Sequence, residues 1–273
     1  MTTGASWCAV LGDPIDHSLS PVLHTAAYRE AGLDWEYRRH RVDEAGLGAF
    51  LAGREDGCRG LSLTMPLKRV ALEHADDVSD LARTAGAANT LVVGPGGRLR
   101  ADNTDVPGAA NAIRETYDGP LASATIWGGG ATAASMLLAL AGLGCRRFTL
   151  QVRDPQRAAE TLAVARRHPD DLDVTVGSLG DPAAGDVLVS TIPAEAQTER
   201  LLAGAAEVPL VFEVRYHPWP TPLASDALAS SRRLVTGLDL LVHQAALQFE
   251  QFTGQPAPLT AMRVAGEFAL AER

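Results

Sequence analysis

Cysteine is scarce in this chain: three residues in 273, Cys8, Cys58 and Cys145. They are odd in number and show no CxxC spacing, so no disulfide framework is expected. Isolated thiols in a reduced, cytoplasmic compartment are the simplest reading. The seven histidines are scattered, with no HExxH and no Cys/His cluster, and no metal site is expected. No apolar run reaches the ~18–20 residues of a membrane-spanning helix. The opening Met1-Thr2-Thr3-Gly4-Ala5-Ser6 lacks the basic region and apolar core of a secretory leader, so neither membrane association nor export is expected. A G-x-S-x-G nucleophile elbow is missing. Positive charge is short as well: 24 Lys and Arg against 33 Asp and Glu leave a formal net charge of -9. With a pI near 5.2, the chain is a poor match to a nucleic-acid surface.

What is present suits a globular protein of one large or two medium domains. Its strongest local signal is the turn Gly128-Gly129-Gly130-Ala131-Thr132-Ala133. The apolar run Ala124 to Trp127 leads in, and the helix-like stretch Ala134 to Leu140 follows. Strand, glycine turn and helix in that order are the setting in which a G-x-G-x-x-G/A match points to a dinucleotide. Gly128 would permit the tight turn, Gly130 would let backbone approach the pyrophosphate, and Ala133 would take the helix-packing position. A glycine turn packing closely with no ligand is the bland alternative. Beyond it, Phe148 to Val152, Asp186 to Ile192 and Pro209 to Val214 read as strands buried on both faces of a parallel sheet. Pro155 to Arg167 reads as a helix capped by Asp154. At the second strand's end, Arg153 and Arg157 favour NADP. Asp154 is either the cap or a ribose ligand that would admit NAD.

The first hundred residues alternate likewise: strands at Trp7 to Leu11, Trp35 to Arg39 and Gly60 to Thr64, and helices after Ser20-Pro21 and ending at Phe50-Leu51. A hairpin is expected around Gly94-Pro95-Gly96-Gly97. Leu238 to Arg273 is helical in pattern with no strand after it, which suits a late return to the first domain. The expected class is therefore α/β, with an N-terminal α/β substrate domain and a Rossmann-like doubly wound parallel sheet. The boundaries read are 1–103, completed by 239–273, for the substrate domain and 104–238 for the cofactor domain.

Three polar segments stand out. In Gly12 to Pro21, Ser20 is suited to cap the helix that follows, whereas Ser18 has no such structural duty and is free to face a cleft. In Thr64-Met65-Pro66-Leu67-Lys68, Pro66 is expected to start a helix. Lys68 would then sit unfavourably in its first turn, a local penalty that hints at function; a solvated surface lysine is the bland reading. Asp102-Asn103-Thr104-Asp105 carries two acids where capping a helix after Pro107 needs one.

Together with Ala85 to Thr90, Ser190 to Pro193, Tyr216, Pro218 to Leu223 and Gly237 to Ala245, these segments identify the chain as similar to the shikimate dehydrogenase family over nearly its whole length. The proline-rich Trp219 to Leu223 resembles the actinobacterial form. The resemblance implies NADP-dependent interconversion of 3-dehydroshikimate and shikimate in aromatic amino-acid biosynthesis. It implies Lys68 and Asp105 as the acid–base pair, and Ser18, Ser20, Thr64, Asn89, Tyr216 and Gln244 as substrate ligands. It places the cofactor along Gly128, Gly129, Gly130, Ala131, Thr132, Arg153, Arg157, Val214 and Gly237. The partner implied is this small-molecule substrate alone, with the protein a monomer or a homodimer. The chain departs from the family pattern at Ser62 (usually asparagine), Val106 (usually glycine) and Val152-Arg153-Asp154 (usually Asn-Arg-Thr). A quinate or aminoshikimate dehydrogenase using NAD or NADP is the alternative within the fold. A non-catalytic NAD(P)-binding sensor is the alternative of another class, against which the retention of both Lys68 and Asp105 counts.

Overall fold

The computed structural model describes residues 5–273; residues 1–4, part of the stretch read above for a leader, lie outside them. The chain forms two compact units, one running to Thr104 and resuming at Leu241–Arg273, the other Asp105–Leu240.

The first unit is built on β1 (Trp7–Gly12), α1 (Ser20–Glu30), β2 (Glu36–Arg41), α2 (Glu44–Ala52), β3 (Cys58–Leu63), β4 (Asp77–Val78), α3 (Asp80–Ala85), β5 (Thr90–Val93) and β6 (Leu99–Asp102). The strands form one six-stranded sheet in the order β2-β1-β3-β5-β6-β4. β1 runs parallel to both neighbours, while β5 is antiparallel to β3 and β6 as the expected hairpin requires. Every residue of β1 is buried, which is why it reads as an unbroken apolar run. β2, at the sheet edge, carries four charged residues, Glu36, Arg38, Arg39 and Arg41, a composition that discourages pairing with another chain.

The second unit comprises α4 (Asp105–Thr116), β7 (Ser123–Trp127), α5 (Ala131–Gly142), β8 (Arg147–Val152), α6 (Ala159–Arg167), β9 (Asp173–Ser178), β10 (Val187–Ser190), α7 (Glu199–Gly204), β11 (Leu210–Glu213), α8 (Pro222–Ala229) and β12 (Arg233–Thr236). Its sheet is wholly parallel, in the order β12-β11-β10-β7-β8-β9. Counted from β7, that is the Rossmann order, with the strand order reversing between β7 and β10. In open α/β sheets this reversal is where ligands bind. β7, β10 and β11 are buried almost throughout, in keeping with their apolar sequences.

The chain ends in α9 (Gly237–Thr253) and α10 (Leu259–Ala271), and α10 packs along α1. The late helical segment therefore does return to the first unit. Among the described residues, no helix is long and apolar enough to cross a membrane, and no cluster of three or more His, Cys, Asp or Glu could hold a metal ion.

Candidate active site

In the first unit the substrate candidates gather at one end of the sheet, because they follow β1 and β3 and precede β5. Loops from β1 and β3 are laced together there: Asp13 donates its N–H to the Met65 carbonyl at 2.9 Å, and Thr64 donates to the Leu11 carbonyl at 2.9 Å. Lys68 joins them to the start of β5 by accepting the Ala88 N–H at its carbonyl, 2.6 Å. Leu67, fully buried in the core beneath the sheet, anchors the turn that carries Lys68.

Two expectations about these loops fail. Ser20 does not cap α1: the position before the helix is Leu19, which makes no side-chain cap bond, and Ser20 is the first helical residue. The structural duty falls to Ser18 instead, whose Oγ accepts the Ser20 N–H at 3.3 Å. Its carbonyl also receives Arg39 Nη2 at 2.8 Å. Both serines are buried. Lys68 is not in the first turn of a helix either. Met65–Pro66 is a cis peptide and residues 65–69 form turns, with a 3-10 helix beginning only at Val70. Proline at 66 closes a turn rather than opening a helix, so the dipole penalty does not arise.

Asn89 and Gln244 meet directly. Asn89 Nδ2 donates to Gln244 Oε1 at 3.1 Å and to Thr104 Oγ1 at 2.9 Å. Its Oδ1 accepts from the Thr104 N–H at 2.7 Å and the Thr90 hydroxyl at 2.8 Å. Gln244 Nε2 is held by the Leu241 carbonyl at 3.0 Å. Both carboxamides are buried. Together they offer a donor and an acceptor side by side, which suits a hydroxyl or carboxylate.

In the second unit the glycine turn follows β7. Gly128 has φ +112°, and a Cβ there would lie 2.2 Å from Thr191 Oγ1, which itself donates to the Trp127 carbonyl at 2.8 Å. Only glycine satisfies both restrictions. Gly129 faces the protein: a Cβ would meet the Arg157 carbonyl oxygen at 2.3 Å, and its own carbonyl accepts from Thr161 Oγ1 at 2.9 Å. Gly130 is the opposite case, the residue before α5: among the described residues, its two chain neighbours aside, no atom comes within 4 Å of a built Cβ. That open approach at a helix N-terminus, continued by Ala131 and Thr132, fits a pyrophosphate. Asp154 caps only a 3-10 helix, Pro155–Ala158, and α6 starts separately at Ala159 rather than running on from Pro155. Asp154 Oδ1 accepts the Gln156 N–H at 3.0 Å, and Arg153 and Arg157 on either side are exposed. Val214 follows β11, and Gly237 packs so closely on it that a Cβ would sit 2.2 Å from the Val214 carbonyl oxygen. Asp105 is the first residue of α4, not a residue ahead of a helix opened by Pro107, and it is buried. A carboxylate there is favoured by the helix dipole. Tyr216 is half-buried and belongs to this second unit, whereas the other substrate candidates belong to the first.

Sequence reasoning missed the side chains behind these groups. Gln151 holds the glycine turn by accepting the Gly128 N–H at its carbonyl, 3.0 Å, and Trp127 Nε1 at Oε1, 2.8 Å. Gln248 and Thr90 stand behind Asn89. A signal for Gln248 was available: Gln244, Gln248 and Gln251 recur at helical spacing on one face of α9, an odd choice for an inward face unless the amides are bonded.

Residues 10–91 match the model of the shikimate dehydrogenase substrate binding domain, and residues 237–265 match that of the shikimate 5'-dehydrogenase C-terminal domain. The shikimate dehydrogenase (NADP(+)) of Caulobacter vibrioides is 36% identical over 268 residues, covering 93% of this chain and 92% of the relative. The pentafunctional AROM polypeptide of Yarrowia lipolytica is 34% identical over 266 residues; the match takes in 91% of this chain but spans only 17% of that much longer protein. The crystal structure of Mycobacterium tuberculosis shikimate dehydrogenase superposes with a TM-score of 0.87 at 41% identity, over 97% of this chain and 99% of that one. With a relative above 30% identity matched almost end to end on a shared two-unit fold, the chain belongs to the shikimate dehydrogenase family.

Proposed function

We propose that this protein reduces 3-dehydroshikimate to shikimate reversibly with NADP, and that Lys68 and Asp105 carry the acid–base chemistry. The observation that carries the substrate side is the paired carboxamides, Asn89 bonded to Gln244 at 3.1 Å, beside the buried serines at the same end of the sheet. Ser18, Ser20, Thr64, Asn89, Gln244 and Tyr216 would bind the hydroxyls and carboxylate of the substrate. NADP would lie along Gly128 to Thr132, with its 2′-phosphate toward Arg153 and Arg157 and its other end near Val214 and Gly237. The open approach at Gly130 and the engagement of Asp154 as a cap support that placement.

When bound, the reduced nicotinamide supplies the hydride. The alkoxide that develops on the substrate needs a proton and local positive charge, and the Lys68 ammonium can provide both. In the oxidative direction the same nitrogen takes the proton back. Asp105 would orient the ammonium and accept a hydrogen bond from the neighbouring substrate hydroxyl. The three buried free thiols, Cys8 pushed up to about 12 by burial, accord with a reduced cytoplasmic setting.

The deciding experiment is initial rates with shikimate and with quinate, each against NADP and NAD. The expected result is the highest kcat/KM for shikimate with NADP. A higher value for quinate would overturn the substrate. No turnover with intact NADP binding would favour a sensor. Lys68→Ala should lower kcat about 10²–10⁴-fold with a modest change in KM; near-full kcat would refute its role.

A further inference from the structure

We infer that Gln248 is a positioning residue for substrate binding, the centre of a buried relay from Tyr37 through Ser62 that fixes which way the Asn89 carboxamide faces. The inference rests on Asn89 being a substrate ligand. Each bond of the relay has one polarity. Tyr37 OH donates to Ser62 Oγ at 2.6 Å. The Ser62 hydroxyl donates in turn to Gln248 Oε1 at 2.7 Å. With its oxygen so engaged, Gln248 must aim Nε2 the other way, where it donates to the Asn89 carbonyl at 2.9 Å and to Thr90 Oγ1 at 3.0 Å. The Thr90 hydroxyl accepts that hydrogen and so spends its own on Asn89 Oδ1, at 2.8 Å. Asn89 Oδ1 is thus committed to Thr90 and the Thr104 N–H, and Nδ2 is left facing Gln244.

The whole relay is buried, Gln248 and Thr90 completely so, and in such a setting a reversed amide would set donor against donor. Burial also holds the Tyr37 phenol well above its ordinary range, so the first donor of the relay keeps its proton. The Ser20 side chain adjoins that phenol, which brings the relay's other end to a second substrate candidate. The consequence for binding is specific. A substrate hydroxyl entering between Asn89 Nδ2 and Gln244 Oε1 can accept from the first and donate to the second. A flipped Asn89 would present an oxygen to an oxygen. Ser62 is the residue through which Tyr37 controls this.

The test is a KM-against-kcat comparison on Gln248→Met, which keeps the side chain's bulk and removes its bonds. Loss of substrate binding that is equal in ground and transition states raises KM and spares kcat. The expected result is KM for shikimate raised about tenfold, the scale of buried groups left unpaired, with kcat and KM for NADP within about twofold. In an Asn89→Ala background the same substitution should add nothing, because its effect runs through Asn89. An unchanged KM for shikimate, a loss confined to kcat, or effects that simply add would each overturn the inference. If Asn89→Ala alone leaves KM unchanged, it is the reading of Asn89 that fails, and that outcome is separate from the others. Should Gln248→Met not fold, Ser62→Ala decides on the same measurement: an increase of about threefold supports the relay, on the scale of one neutral hydrogen bond, and no increase overturns it.

Discussion

His24 gives the protein an acid-sensitive core. It lies in α1, fully buried, stacked on Tyr37 with ring centroids 4.2 Å apart and packed against Tyr28 and Phe252. Among the described residues, neither ring nitrogen has a partner in full hydrogen-bond geometry, Gln248 being only a looser polar neighbour. Burial lowers its pKa from 6.5 to about 3, which the neighbouring Gln248 carboxamide opposes only in part. Between those two values the unfolded chain takes up a proton that the folded chain refuses, so stability falls as pH falls below 6.5. At pH 5 the loss from this one group is about 2 kcal/mol, and the slope approaches about 1.4 kcal/mol per pH unit. The phenols in contact stay neutral across this range, burial having raised both Tyr28 and Tyr37, so they add no slope of their own. His24→Phe keeps the ring stack and removes the titration. Urea unfolding of both proteins at pH 7 and pH 5 isolates the effect, since the carboxylates titrate alike in each. The wild type should lose about 2 kcal/mol more than the variant between the two pH values. Equal losses would refute the argument, whatever packing offset the phenylalanine introduces at pH 7.

Further outcomes follow from the second unit. Gly130→Ala should leave the melting temperature nearly unchanged, because among the described residues no atom beyond its chain neighbours lies within 4 Å of the added Cβ, yet weaken NADP in a fluorescence titration. Gly128→Ala, at φ +112° and against Thr191, should destabilise by about 1–3 kcal/mol as well, measured by urea unfolding. Asp154→Asn keeps an oxygen to accept the Gln156 N–H and removes a negative charge beside Arg153. Its KM for NADP should be equal or lower, with stability within about 0.5 kcal/mol of wild type; a higher KM would mean that Asp154 serves the cofactor. Glu213 is buried with a raised pKa, mainly through loss of solvation, and accepts from Gln197, Thr221 and the Arg215 N–H. Glu213→Gln would set an amide against these donors and should cost about 1–3 kcal/mol in urea unfolding.

The four inner strands of the second unit, β7, β8, β10 and β11, were legible because burial on both faces makes their sequences mostly apolar; β10 reads Val187-Leu188-Val189-Ser190 and is buried throughout. β9 and β12, the two edge strands, were not, for the converse reason. Most of Asp173 to Ser178 is exposed, and each strand has only two apolar residues, Val174 and Val176 in β9 and Leu234 and Val235 in β12, too few to make a run. The serine loop shows a different limit. Ser20 before proline has the local pattern of a cap, but the helix begins one residue earlier than that pattern implies, and the bond is made by Ser18 from two positions away. Cap chemistry was visible and its donor–acceptor assignment was not, since that depends on φ and ψ at Leu19.

The substrate candidates illustrate the deeper division. Residues that contact a small molecule must be of a particular chemical type, and type is written in the sequence. The groups that orient them need only supply a donor or an acceptor in the right place, and place is set by folding. Ser62 reaches Gln248 across 186 residues of chain, and Asn89 reaches Gln244 across 155. Nothing near Ser62 in sequence says that it should face a helix from the far end of the protein. The departure at Ser62 from the pattern implied by resemblance says nothing of this role, yet in the fold it is the hydroxyl that sets the polarity of the Asn89 amide. A residue that departs from its family's pattern inside a buried network is thus better read by asking which hydrogen-bond direction it imposes than by asking which contact it has lost.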